Sequence, residues 1–268
     1  MNSFLAFLFN HARSLRDFIL NLLFPIECLG CSQEDVWLCD KCFRKIPFNT
    51  FNYCLNCKKR NKYGEFCTDC SPNFYLNGVW IAGNYNNYII VNLIKNLKYY
   101  YAKNLADILG KYLSLFLQNL LNKNRLTNIN LQQSKIWRQL DKAKQSPLTI
   151  LNFNQTIIIP VPLHKKRYLI RGFNQAEKLA QIVSKNFNLK INHDLIRIKH
   201  KTAQAKLNEK ARKHNIKDCF VYRGENLINK NILLIDDVLT TGSTLNECAK
   251  VLKENNASEV WGLVVAKG

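Results

Sequence analysis

The sequence predicts an α/β protein: a parallel sheet flanked by helices, preceded by a small cysteine-rich segment. Two observations carry this. From residue 156 onward, continuous apolar runs of strand length alternate with helical stretches, the pattern of strands covered on both faces. Ahead of residue 72, eight of the ten cysteines fall into four Cys-x-x-Cys pairs. A chain of 268 residues has room for one good-sized domain and a smaller one.

Residues 1–24 place Phe4, Phe7, Leu8, Leu15, Phe18, Ile19, Leu22 and Leu23 at helical spacing, which predicts an amphipathic helix. Arg13, Arg16 and Asp17 interrupt the apolar run, so it is neither a signal peptide nor a membrane span. Packing on the protein's own core is the expected use of this helix, and peripheral contact with a membrane surface or a partner is the alternative. The expected location is cytoplasmic. Residues 25–72 hold the cysteines, and a larger domain is expected over 78–268. There, 79–85 reads as a strand, and 87–98 and 102–121 as helices. Residues 118–150 are rich in Asn and Gln without a clear period, which predicts a polar insert with at most a short helix. Strands follow at 155–163, 189–199, 231–238 and 258–268, with helices over 174–187 and 243–256.

The cysteines are spaced C-x2-C-x7-C-x2-C (Cys28, Cys31, Cys39, Cys42) and C-x2-C-x9-C-x2-C (Cys54, Cys57, Cys67, Cys70). Each Cys-x-x-Cys turns two thiolates toward one metal, and two such knuckles complete a tetrahedron. So short a segment with few aliphatic residues needs metal to fold, which predicts one or two structural Zn²⁺ ions. Four thiolates leave no open position for chemistry. Spacing leaves open whether the pairs combine sequentially or interleave. Cys219 and Cys248 stand apart and read as buried thiols.

The stretch ILLIDDVLTTGST, 232–244, runs from apolar strand through Asp236 and Asp237 into Thr240, Thr241, Gly242, Ser243 and Thr244 at the start of a helix. Free N–H groups at a helix N-terminus attract phosphate, and carboxylates at a strand's carboxyl end can accept sugar hydroxyls or hold Mg²⁺. A second basic stretch, 159–175, carries Lys165, Lys166, Arg167 and Arg171, suited to phosphate oxygens. The chain's net charge is +20, and residues 161–215 hold 14 Lys and Arg against 3 Asp and Glu. Such a concentration exceeds what a small anion needs and suits a nucleic-acid backbone. Tyr99, Tyr100 and Tyr101 after Lys95 and Lys98 are expected to pack in the core or sit in an ordinary surface loop, with stacking on bases the alternative.

The strand–Asp-Asp–Thr-Thr-Gly-Ser-Thr stretch resembles the phosphoribosyl-pyrophosphate (PRPP) motif of type I phosphoribosyltransferases. That resemblance implies that Asp236 and Asp237 contact the ribose hydroxyls and that residues 240–244 cradle the 5′-phosphate. It implies Mg²⁺ with PRPP, pyrophosphate contacts from Lys165, Arg167 and Arg171, and a mobile loop upstream of the motif, where 197–215 including Arg212 lies. With the cysteine pairs, PVPL…R…RGFNQ and IDDVLTTGST taken together, the chain resembles the ComF family of competence-associated, phosphoribosyltransferase-like proteins. The resemblance implies a role in DNA uptake during natural transformation, handling single-stranded DNA with a competence helicase or a single-strand-binding protein. Were the chain an enzyme, its catalytic residues would be Asp236, Asp237, Arg171 and Arg212, displacing pyrophosphate from PRPP with an unidentified base or amine. Binding without turnover is the other expectation.

Overall fold

The computed structural model describes residues 26–49, 52–61, 63–99, 104–131, 155–199 and 217–268, the side chains of 99 and 122–131 excepted. The expected helix over 1–24, most of the expected mobile loop with Arg212, and Tyr100 and Tyr101 lie outside the described residues. Compactness divides the chain into two units, Met1–Pro47 and Phe48–Gly268. That division falls inside the cysteine-rich segment rather than after it. The second cysteine quartet is therefore part of the sheet-bearing unit.

In the first unit the described residues form a loop around the first quartet and a short helix, α1 (Asp40–Arg44). The second unit opens with two short antiparallel strands, β1 (Asn52–Tyr53) and β2 (Arg60–Asn61). Its main sheet comprises β3 (Gly78–Asn84), β4 (Thr156–Pro160), β5 (Lys190–Ile191), β8 (Asn231–Leu239) and β9 (Glu259–Lys267). The order is β3-β9-β8-β4-β5, every pairing parallel. The predicted α/β class is thus the observed one.

The sheet's strands are apolar along their length because both faces are covered. Helix α2 (Tyr88–Tyr99) packs on α3 (Leu105–Leu131), and α3 packs on α5 (Gln175–Phe187) and the sheet. Gly110 of α3 meets Ile182 of α5 so closely that a Cβ there would come 2.5 Å from the Ile182 Cδ1. Helix α6 (Ser243–Glu254) packs against β9. Ile159, Leu234, Ile235, Val264 and Val265 are fully buried, each contributing about 1.5–3 kcal/mol of transfer free energy.

Two sequence expectations change. The run 189–199 is not one strand: β5 joins the main sheet while β6 (Leu195–Arg197) pairs antiparallel with β7 (Phe220–Tyr222) in a separate two-stranded sheet. The break is an Asn-His-Asp turn, where Asn192 Oδ1 accepts the Asp194 N–H at 2.9 Å, a local bond that competes with strand continuation. The polar segment from 118 continues as helix to Leu131. It contains no Gly or Pro between 111 and 131, and an established helix extends at little cost. Part of the basic stretch, assigned to no element from sequence, is itself helical, α4 (Lys165–Arg171).

Candidate functional site

The sheet order sets where a ligand can enter. From β4 the chain proceeds to β5 on one side, and from β8 to β9 on the other. Between β4 and β8 the connections diverge, leaving a crevice at the strands' carboxyl ends. A cavity of about 520 Å³ opens there, lined by Val161, Pro162 and Leu163 after β4 and by Asp236, Asp237 and Val238 of β8. Arg167, Arg171, Thr240 and Thr244 also line it. The two motifs singled out from sequence are thus brought together, though 160–172 and 236–244 are far apart in the chain.

RGFNQ acts as a helix stop and a helix start. Gly172 takes φ 72° and closes α4 with its N–H on the Tyr168 carbonyl at 2.7 Å, a conformation glycine adopts without strain. Phe173 is buried. Asn174 caps α5, its side chain accepting from the Ala176 N–H at 3.1 Å and donating to the Val161 carbonyl at 3.0 Å. These bonds fix Arg167 and Arg171 on the cavity wall. Lys165 is exposed and does not line the cavity.

On the other wall, Asp237 is 6% exposed and forms an ion pair with Lys98 at 2.9 Å. Its own N–H donates to Asp236 Oδ1 at 2.8 Å. Burial, then the neighbouring Asp237 charge, push the Asp236 carboxyl up to about 7, against the pull of Lys98. Next comes the turn. Gly242 has φ 81° and is the N-terminal cap of α6, with no side chain capping the helix. The Ser243 N–H donates to Thr241 Oγ1 at 3.4 Å, and a helix N-terminus of this kind attracts an anion. Thr241 and Ser243 bond to each other through their hydroxyls at 2.8 Å.

Sequence reasoning gave no site role to Lys98 or Gln175 and placed Arg197 only within the mobile loop expected over 197–215. Lys98 was grouped with the tyrosines that follow it, whereas its ammonium is spent on Asp237. Gln175 is 3% exposed and its Nε2 has no hydrogen-bond partner. Arg197 Nε is likewise buried without one, while the guanidinium lies 5.4 Å from the Phe220 ring centroid. Burial, then the charge of Arg167, lower the Arg197 pKa. An unpaired buried donor costs about 1–3 kcal/mol, so two in one cavity mark a place for acceptor oxygens. The run of like charge from 165 to 171 was visible in sequence; its convergence with Arg197 was not.

The cysteines form two sequential tetrads, Cys28/Cys31/Cys39/Cys42 and Cys54/Cys57/Cys67/Cys70, with all ligand atoms of each within 4.8 Å of one another. Cys31 and Cys39 sulfurs are 3.8 Å apart, and Cys57 and Cys67 sulfurs 3.6 Å. A tetrahedral Zn–S bond of about 2.3 Å requires an edge of about 3.8 Å, so the residues suit zinc. Ser32 and Lys58, each directly after a knuckle's second cysteine, both take left-handed φ (57° and 64°), so the two ribbons repeat one backbone device. Burial alone would raise the Cys54 thiol, but N–H groups of Cys57, Cys67 and Asn56 bring it down to about 6. Burial and the neighbouring sulfurs hold Cys42 up at about 12. A divalent cation resolves that mutual repulsion. Cys219 and Cys248 are buried, as expected.

Comparison with known proteins agrees with this layout. Residues 19–71 match the double zinc ribbon domain and residues 169–267 the phosphoribosyl transferase domain. Competence protein F of Haemophilus influenzae is 30% identical over 257 residues, covering 91% of this chain and 98% of that protein. DNA utilization protein YhgH of Escherichia coli O6:H1 is 37% identical over 110 residues, 40% of this chain and 48% of that one. Competence protein ComFC of Bacillus subtilis is 35% identical over 99 residues, 37% of this chain and 38% of that one.

Proposed function

Because the chain belongs to the ComF family, that of competence protein F, we propose that it binds Mg-PRPP in the β4–β8 cavity and acts in the uptake of DNA. The observation that carries the PRPP half is the shared cavity: an acid pair, a hydroxyl-rich helix N-terminus and two arginines face one space. In this reading Asp236 and Asp237 accept the ribose hydroxyls, and the amides and hydroxyls of 240–244 hold the 5′-phosphate. Arg167 and Arg171 of the cavity wall take the diphosphate, joined in this reading by Lys165, which lies outside the cavity lining, and by Arg212 from outside the described residues. The carboxylate pair suits Mg²⁺, which supplies charge neutralisation to the diphosphate when bound.

The DNA half rests on the names of the relatives, for competence and DNA utilization, and on the concentrated positive charge of 161–215. Incoming single-stranded DNA in the cytoplasm is the proposed nucleic acid, with a helicase or a single-strand-binding protein as partner. The zinc ions are structural. Titration calorimetry with Mg-PRPP tests the core of the reading: wild type binds, and Asp236→Asn/Asp237→Asn loses at least roughly 100-fold in affinity. Equal affinity in both proteins sinks it.

A second reading, an active phosphoribosyltransferase, is favoured by the unpartnered donors of Gln175 and Arg197 in the same cavity. They offer acceptor oxygens a place beyond the groups already assigned. Pyrophosphate release with a base or amine present separates the two readings.

A further inference from the structure

The loop between the first two ligands of the second tetrad reaches the anion turn. Leu55 lies between Cys54 and Cys57, is 8% exposed, and shares a buried cluster with Leu239 and Leu245, which bracket the turn. Its Cδ2 occupies the space a side chain at Gly242 would need: a Cβ there would come within 2.6 Å of it. Glycine at 242 thus does two things. It permits φ 81°, and it lets the knuckle press directly on the backbone at the N-terminus of α6.

The knuckle is held firmly from behind. Lys58 N–H donates to the Cys54 carbonyl at 2.9 Å, Cys54 N–H to the Lys59 carbonyl at 2.9 Å, and Lys58 Nζ to the Leu55 carbonyl at 2.8 Å. Asn56 Nδ2 donates to the Cys70 sulfur at 3.3 Å. A second tie comes from just beyond the tetrad. Asn246 Oδ1 accepts the N–H groups of Tyr75 and Leu76 at 2.8 and 3.3 Å, while the Asn246 N–H donates to the Gly242 carbonyl at 2.9 Å. The turn is therefore gripped by the segment that carries the metal ligands, through an apolar contact on Gly242 and hydrogen bonds one turn into the helix.

We propose that Leu55 is a positioning residue for the 240–244 turn, and that metal in the second tetrad sets how well the turn is formed. The consequence for ligand affinity rests on the reading of that turn as a phosphate site. Donor arrays bind well only when fixed, and a displacement near 1 Å can cost about 100-fold. Without metal the thiolates no longer hold Cys54 to Cys57 against the other pair, so Leu55 loses its seat. Gly242, lacking a side chain, then keeps only the Asn246 N–H on its carbonyl to hold it.

The test uses the full chain and three variants: Leu55→Ala, Leu55→Met and Cys57→Ser. Zinc content, hydrogen exchange of the amides of 239–245 and Mg-PRPP binding are measured together. Leu55→Ala should keep wild-type zinc content, exchange these amides roughly tenfold faster while β4 amides are unchanged, and bind Mg-PRPP roughly tenfold more weakly. Leu55→Met should restore both. Cys57→Ser should lose zinc and show the same faster exchange. Unchanged exchange at 239–245 in Leu55→Ala or in Cys57→Ser overturns the inference, whatever PRPP does. If wild type binds no PRPP while exchange responds as stated, the buttress stands and the phosphate reading falls instead.

Discussion

Asp236 and Asp237 sit side by side at the mouth of an apolar strand, and what lets both stay there is Lys98. With a carboxyl at about 7 instead of its ordinary 3.8, Asp236 keeps a proton in the folded protein that the unfolded chain has already released. It therefore opposes folding progressively as pH climbs from about 4 to about 7, and the loss is complete above that. Lys98→Met removes the cation that draws Asp236 toward its charged form, so that window extends to higher pH. Removing one partner of a mostly buried ion pair costs about 3 kcal/mol, more at pH 8, where Asp236 is charged, than at pH 6. Urea melts at the two pH values check this; an equal loss at both removes the coupling. Mg-PRPP binding in wild type should rise through pH 7 as Asp236 ionises, and the rise should move to higher pH in Lys98→Met.

At the scale of elements, the second ribbon and the sheet share hydrogen bonds. Trp80 Nε1 donates to the Tyr63 carbonyl at 2.8 Å and its ring stacks on Trp261 with centroids 4.9 Å apart. The Val79 N–H donates to the Gly64 carbonyl at 3.0 Å. Chelation should therefore change indole fluorescence, and most of that change should disappear in Trp80→Phe. A response identical in the two proteins would mean that β3 does not sense the ribbon. Much of this level was legible in sequence, because each element advertises itself locally. The run ILLIDDVLTTGST is strand, acid pair and helix start, and Cys-x-x-Cys spacing is set by one metal's geometry. Lys98 and Arg197 were not legible, since each meets the cavity through the path of another element. The split of 189–199 was hidden because alternation persists across the Asn-His-Asp turn. The helix α4 was assigned to no element because it is short and densely charged, and its caps, His164 and Gly172, are plain only in the structure.

For the whole molecule, charge is the relevant quantity. If the +20 chain holds single strands along its basic stretch, affinity should fall steeply with salt, the logarithmic slope being about −0.7 per phosphate engaged. Lys165→Gln/Lys166→Gln removes two exposed cations and should make that slope shallower by about 1.4. Fluorescence anisotropy with a labelled oligonucleotide across a salt series measures it, and a slope that does not change assigns the DNA contact elsewhere. Among the described residues no helix is long and apolar enough to cross a membrane.

The sheet's strand order also dictates a timetable. β9, which lies between β3 and β8, is the latest of the five to be synthesised, yet it pairs Trp261 with Gly78 of the earliest. Until residues 259–267 leave the ribosome, β3 has no partner in the main sheet and one side of β8 is bare. A nascent chain at that stage exposes two apolar strand edges, the surface on which aggregation and chaperone capture act.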